Sequence, residues 1–297
     1  MKVFVTGASG FIGSAVTAEL LGHGHHVLGL ARSDAAAQRI TATGAEAVRG
    51  DLDDLDALEA GASAADAVIH LAFQHDFTAY DTAARVDRQA IETLGEALAG
   101  SDRALVVASG MAGLGRGRIL TEDQAAPPDA PRESEPAVFA FTDRGVRAAA
   151  VRLAPTVHGE GDHGFVPTLI SIARATGVST YPGDGSNRWP AVHRLDAAAL
   201  FRIAAEDAPA GTLLHAVADE GIPVRQIAEA IGHGLDVPVE ATTAQASIDR
   251  AGFIGAVFAM DLPASSALTR TRFAWQPTHP GLLADLSQAH YFATPEA

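Results

Sequence analysis

The sequence predicts an α/β protein: a doubly wound, mostly parallel sheet followed by a smaller C-terminal lobe. Three observations carry this reading. Short apolar runs alternate with amphipathic stretches through the first half, the signature of successive βαβ units. A glycine-rich turn joins the first run to the first helical stretch. Near residue 155 the pattern changes, and Gly- and Pro-rich loops then separate shorter elements.

The runs at 2–6, 26–31, 46–49, 67–72, 104–108 and 148–153 are read as strands of a sheet covered on both faces. Between them the stretches 11–22, 34–43, 82–99 and 133–144 carry apolar residues at helical spacing. Beyond 155, helices are expected at 165–175, 196–206, 223–232 and 281–290.

Composition narrows the function classes. The chain has 297 residues, enough for a full core, and no cysteine, so disulfides, thiolate metal sites and a cysteine nucleophile are excluded. Thirty-six acidic against 21 basic residues leave a net charge of -15, which disfavours nucleic acid and anionic lipid as partners and points to a small molecule. Every basic residue except Lys2 is arginine, so no buried catalytic lysine is available. The first strand-like run begins at Lys2 with no leader pattern before it, and no apolar run approaches the roughly 18 residues a membrane span needs. A cytoplasmic protein is the expectation.

The strongest motif is Thr6-Gly7-Ala8-Ser9-Gly10-Phe11-Ile12-Gly13. At a strand end that opens a helix, Gly7 permits the tight turn, Gly10 admits a pyrophosphate to the backbone, and Gly13 lets helix pack on strand. The phosphates of a dinucleotide then meet the free N–H groups and positive end of the helix. Residues 1–155 are therefore read as a dinucleotide-binding domain and 156–297 as a substrate-binding lobe interleaved with the last sheet strands. At the end of the second run, where a carboxylate would select a free ribose 2'-hydroxyl, the chain has Arg32-Ser33, which favours a 2'-phosphate and hence NADP.

These residues resemble the extended short-chain dehydrogenase/reductase superfamily, whose NAD(P)-dependent epimerases, dehydratases and reductases share a Rossmann-type fold. Asp51-Leu52 resembles its pair beside the adenine, and His70-Leu71-Ala72, continued by Phe73, its segment along the cofactor. Val151-Arg152-Leu153 with Pro155 and Thr156-Val157-His158-Gly159 is similar to its strand and loop under the nicotinamide. Val192-His193-Arg194-Leu195-Asp196 resembles its "VHVxD" segment. The resemblance implies a nicotinamide cofactor held by Gly7, Ser9, Gly10, Phe11, Ile12, Gly13, Arg32, Ser33, Asp51, Leu52, Leu71, Ala72, Phe73 and Pro155.

The family's catalytic Tyr and Lys, four apart on a helix, are missing. Glu135 stands where the family has its helix glutamate, which puts Pro127 and Pro131 at the two positions. Neither proline can exchange a proton, and the run from Ala126 to Pro131 postpones the helix to about residue 132. Ser109 takes the first place of the family's serine pair and Gly110 the second, usually catalytic one; Asp87 replaces the helix asparagine.

The chain is thus identified as an atypical member, and three readings stay open: a reductase of a C=O or C=N group, an epimerase or dehydratase, or a non-catalytic NADP-binding sensor. For the reductase, the candidate chemistry lies with Ser109, His75 and His158, since imidazole titrates near neutral pH. Asp76, Met111, Tyr181, Trp189 and His193 are the candidate substrate residues; Arg188 resembles, one residue out of register, the arginine that grips substrate phosphate in sugar-nucleotide enzymes, and with Trp189 it reads equally as a pocket wall for an aromatic or apolar substrate. The segment from His158 to His163 matches no metal-ligand spacing, so no metal is expected. Helix 82–99 is a candidate for pairing with a second copy of the chain.

Overall fold

The computed structural model describes residues 1–74, 80–115, 117–127, 130 and 132–293. A seven-stranded sheet forms its centre: β1 (Lys2–Thr6), β2 (His26–Ala31), β3 (Glu46–Arg49), β4 (Ala67–His70), β5 (Ala104–Gly110), β6 (Arg147–Leu153) and, from the later sequence, Thr212–Ala216. That last strand is β10, after β7 (Thr156–His158), β8 (Ser179–Pro182) and β9 (Arg188–His193). The order across the sheet is β10-β6-β5-β4-β1-β2-β3, and every neighbouring pair is parallel. Reversal of direction about β1 opens a crevice at the strand ends between β1 and β4, the place where such sheets bind ligands.

Helices cover both faces. α1 (Phe11–Gly22), α2 (Asp34–Ala42), α3 (Leu55–Ser63), α4 (Tyr80–Leu98) and α5 (Ser134–Phe139) follow their strands, and α7 (Arg194–Asp207) comes after α6 (Phe165–Thr176). α4 buries Ala83, Asp87, Ala90, Ile91, Leu94 and Leu98, one stripe at helical spacing. α7 turns Ala197, Ala198, Phe201, Ala204 and Ala205 onto the central sheet beside Val16 and Leu20 of α1. Small alanines let it lie close.

A three-stranded sheet, β11-β9-β7 with β11 at Asp219–Pro223, and a parallel pair of β8 with β12 (Val239–Thr242) form the second lobe. α6, α8 (Val224–Leu235), α9 (Ala244–Phe258), α10 (Ala267–Phe273) and α11 (Leu282–Asp285) complete it. Its own core holds Val166, Ile170, Trp189, Ile227, Ile231, Phe258 and Leu282. Among the described residues no helix is long and apolar enough to cross a membrane.

The six strands and the early helices expected from sequence are found near their expected bounds. The stretch 133–144 splits into α5 and a 3-10 turn at Thr142–Arg144, and 281–290 into α11 and a 3-10 turn at Ala289–Tyr291. The strand read at 67–72 ends at His70: the Leu71 N–H is shared between the Thr6 carbonyl at 3.3 Å and the Thr6 hydroxyl at 3.2 Å, and the Ala72 N–H goes to that hydroxyl at 3.2 Å.

Candidate dinucleotide site and cleft

β1 ends where Gly7 takes a φ of +71°, a conformation that favours glycine. A Cβ on Gly7 would stand 2.9 Å from the Ala72 nitrogen, and one on Gly13 only 2.0 Å from the Gly7 carbonyl oxygen. Gly10 is the exposed N-cap of α1 with no side-chain cap. Among the described residues the Phe11 and Ile12 N–H groups meet no backbone or side-chain acceptor. This cradle, closed where helix meets strand and open at the helix end, fits a pyrophosphate, with half-buried Ser9 beside it.

At the far end of the crevice, Arg32 is exposed and has no partner among the described residues. The Ser33 hydroxyl caps α2, accepting from the Ala36 N–H at 3.2 Å. Asp34, the nearest carboxylate in sequence, is held by Arg49 at 3.2 Å, and Arg49 lies opposite Ala31 in the register of β2 and β3. Asp51 accepts the N–H groups of Asp53 and Asp54, and Leu52 is buried in the core beneath. Pro155, Leu71, Ala72 and Phe73 are half-buried along the crevice segments.

Beneath the cradle lies a buried polar chain. The Thr6 hydroxyl accepts from Leu71 and Ala72, which leaves its proton for Nδ1 of His70 at 2.8 Å. His70 therefore carries its proton on Nε2 and donates it to Asp87 at 3.2 Å. Asp87 also accepts from the Ser134 hydroxyl and from the Arg132 guanidinium. Burial alone would raise the Asp87 carboxyl, but His70, Arg132 and Ser134 together outweigh it and hold it at about 2. Asp87 is a carboxylate that orders its neighbours, not a proton source at neutral pH.

Ser109 is 4% exposed and donates its hydroxyl to Glu135 at 2.8 Å. Glu135 in turn takes two bonds from Arg152, each 2.7 Å, and Arg152 reaches His215 at 3.3 Å. The strand-end serine thus belongs to a buried polar network. His158 is fully buried: Nδ1 donates to Asp285 at 2.8 Å, and Nε2 has no partner among the described residues. His75 and Asp76 lie outside the described residues, as does Pro131. Met111 is buried in the central core.

Trp189 is corrected from pocket wall to core. It is 1% exposed, donates to the Thr156 hydroxyl at 2.8 Å, and packs on Phe258 and Phe165. Arg188 beside it is spent on Asp261, with bonds of 3.0 and 2.8 Å. Tyr181 lies on β8 with Arg225 over its ring, in the small second sheet.

His193 caps α7 through the Leu195 N–H and stacks on His279 at 4.8 Å. With Asp196 these make a cluster whose potential ligand atoms lie within 4.8 Å of one another. It reads as a hydrogen-bond knot: Asp196 already accepts the N–H groups of Thr278 and His279 and the His279 ring, and the His193 Nδ1 lone pair is taken by Leu195.

Sequence reasoning passed over two side chains that the fold brings to the cleft. Arg132, one residue past the family's lysine position, lies 4.2 Å over the Phe73 ring. Tyr80, first residue of α4, sets its ring 5.9 Å from Phe73 and 6.4 Å from Phe253 of α9. Burial raises the Tyr80 phenol above its ordinary value; the Arg132 charge offsets this only in part, and the Asp87 charge adds to it. A tyrosine beside a cation was the signal to look for, but the two residues are far apart in sequence. A groove of about 1030 Å³ runs along α4 and α5, lined by Arg88, Glu92, Glu96, Phe139 and Arg144 and reaching Arg132 and Glu135.

A doubly wound sheet with an open glycine cradle at its crevice defines a dinucleotide-binding α/β protein. Comparison with known proteins gives the family: residues 3–215 match the NAD dependent epimerase/dehydratase family, and the chain belongs to it. It is 47% identical over 295 residues to an uncharacterised protein of Schizosaccharomyces pombe, covering 98% of this chain and 100% of that one. It is 32% identical over 252 residues to the 2'-dehydrokanamycin reductase of Streptomyces kanamyceticus, covering 80% of this chain and 68% of the reductase. Among solved structures, the dTDP-glucose 4,6-dehydratase DesIV of Streptomyces venezuelae superposes with a TM-score of 0.79 at 18% identity, covering 98% and 97% of the two chains.

Proposed function

We propose that the protein is an NADPH-dependent reductase of a small-molecule carbonyl or iminium group. The observation that carries this reading is the dinucleotide cradle, complete from Gly7 to Gly13, with Arg32 beyond it unpaired among the described residues and Asp34 turned to the surface in an exposed pair with Arg49. The 32% identical relative named 2'-dehydrokanamycin reductase supports the reaction class.

NADPH held in the Gly7–Gly13 cradle would supply the hydride for the electrophilic carbon. For a carbonyl, a proton must reach the oxygen so that an alcohol forms. Tyr80 takes that place: its phenol lies between Phe73 and Phe253 with the Arg132 charge acting on it, and the phenolate left behind regains a proton from water. Asp87 holds Arg132 in position. An iminium needs no proton at this step.

The test is incubation with NADPH and a panel of ketones, aldehydes and cyclic imines while following the absorbance of the reduced nicotinamide. Turnover with a panel member supports the reductase. Tight binding of NADPH without turnover across the panel favours the sensor, and binding of neither cofactor removes the reading.

A further inference from the structure

We propose that Arg194 is a pyrophosphate ligand, closing on the dinucleotide from the side opposite the glycine turn. This rests on the cofactor reading above and adds a residue to it. The third place of the "VHVxD" pattern, where the family carries valine, is here a cation, Arg194. It is the first residue of α7, and its guanidinium sits 5.2 Å over the ring of Phe11, the first residue of α1. The chain therefore brings a positive charge to the helix end whose Phe11 and Ile12 N–H groups are unspent.

Every other partly or fully buried arginine among the described residues donates to a carboxylate, a carbonyl or a hydroxyl: Arg103, Arg132, Arg147, Arg152, Arg188, Arg202 and Arg270. Arg194 alone is half-buried with no hydrogen bond or ion pair, in a chain of net charge -15. A guanidinium held off water without an anion is costly unless an anion arrives.

Its surroundings also hold it in place. The loop after β7 comes near it at Gly161, where φ is +84° and a Cβ would stand 4.0 Å from the Arg194 NH1 nitrogen. His163 from the same loop sets its ring edge against Phe11 at 5.7 Å. The Phe11 ring takes one face of the guanidinium, and none of its N–H groups is spent on a partner among the described residues. A diphosphate is the anion that suits both this fork and the two open N–H groups.

The experiment measures binding, not turnover. Titrate the intact protein and Arg194→Gln with ADP-ribose, which carries the diphosphate without the nicotinamide, and with adenosine, which lacks the diphosphate. Losing a charge-assisted contact predicts an ADP-ribose Kd about ten- to a hundredfold weaker in the variant, with adenosine unchanged and a shallower salt dependence. Arg194→Lys should recover part of the loss. Equal ADP-ribose affinity in parent and Arg194→Gln overturns the clasp while leaving the cofactor reading standing. Loss of adenosine binding as well assigns Arg194 to the fold and overturns it too. A parent that binds no ADP-ribose removes the cofactor reading and the clasp together.

Discussion

Glu135 and Arg152 meet in a fully formed fork, Nε to Oε1 and a terminal nitrogen to Oε2 at 2.7 Å each, and both side chains are buried. The pair ties α5 to β6, and Ser109 of β5 donates into it at 2.8 Å. The Glu135→Ala variant leaves Arg152 charged and unpaired inside the protein, a loss of about 3 to 5 kcal/mol by chemical denaturation. By contrast Ser109→Ala removes one donor and should cost about 1 kcal/mol with NADPH oxidation kept. Abolished turnover in Ser109→Ala at unchanged stability would return that serine to the chemistry.

Gly13→Ala tests the helix-strand approach. A Cβ 2.0 Å from the Gly7 oxygen cannot be absorbed by a side-chain rotation, so α1 must move off β1. The expected result is a drop in stability of several kcal/mol, of the order seen for overpacking and greater, with dinucleotide binding lost. Near-native thermal unfolding in this variant would contradict the geometry of the cradle.

Acid should weaken the fold first through two histidines. Burial lowers His215 and His193 to about 4, with the Arg152 charge adding at His215 and His158 and His279 adding at His193. The unfolded chain, with imidazoles near 6.5, takes up protons that the folded chain refuses between those values. Stability is therefore full above about 6.5 and declines as pH falls toward about 4. Asp87, held at about 2, adds its loss only below the ordinary carboxylate range. Denaturant midpoints across this window check the sign, and a flat profile would refute it.

Cofactor choice is the fourth expectation. Arg32→Ala should weaken NADPH roughly tenfold or more while NADH binding holds, because only the 2'-phosphate meets that guanidinium. Equal affinity of the parent for the two cofactors, or an unchanged ratio in the variant, would point away from NADP.

For a ketone substrate, Tyr80→Phe should lower kcat by about 10² to 10⁴ with little change in KM, and His75→Ala and His158→Ala serve as comparators. A sensitive histidine variant beside an indifferent Tyr80→Phe would reassign the proton donor. If the preferred substrate is an iminium, all three should stay active.

The central sheet was legible because its signals are local: continuous apolar runs, helical spacing in α4, and Gly7, Gly10 and Gly13 at a strand end. The second lobe was less so. α9 and α10 went unread; α9 is broken by Gly252, whose φ of 56° and ψ of -128° interrupt the helix just before Phe253. α3 also passed unseen, although Asp54 caps it by accepting the Ala57 N–H. Site residues divided the same way. The cradle could be read from one octapeptide, whereas Trp189 looked like a pocket wall because nothing local reveals Phe258 packed against it at 5.1 Å. Tyr80 and Arg132 were missed because α4 and the segment before α5 meet only in the folded chain.

The seventh strand of the sheet, β10, is made after both β7 and β9 of the second lobe have left and returned. Until residues 212–216 are available, β6 presents a bare hydrogen-bonding edge with the sequence Arg147-Ala148-Ala149-Ala150-Val151-Arg152-Leu153. An unpaired apolar edge is a template for another chain. A fragment that ends before Thr212 should therefore self-associate during synthesis or refolding, and the loop structure that looks like an appendage to the sheet is also what delivers its protective border.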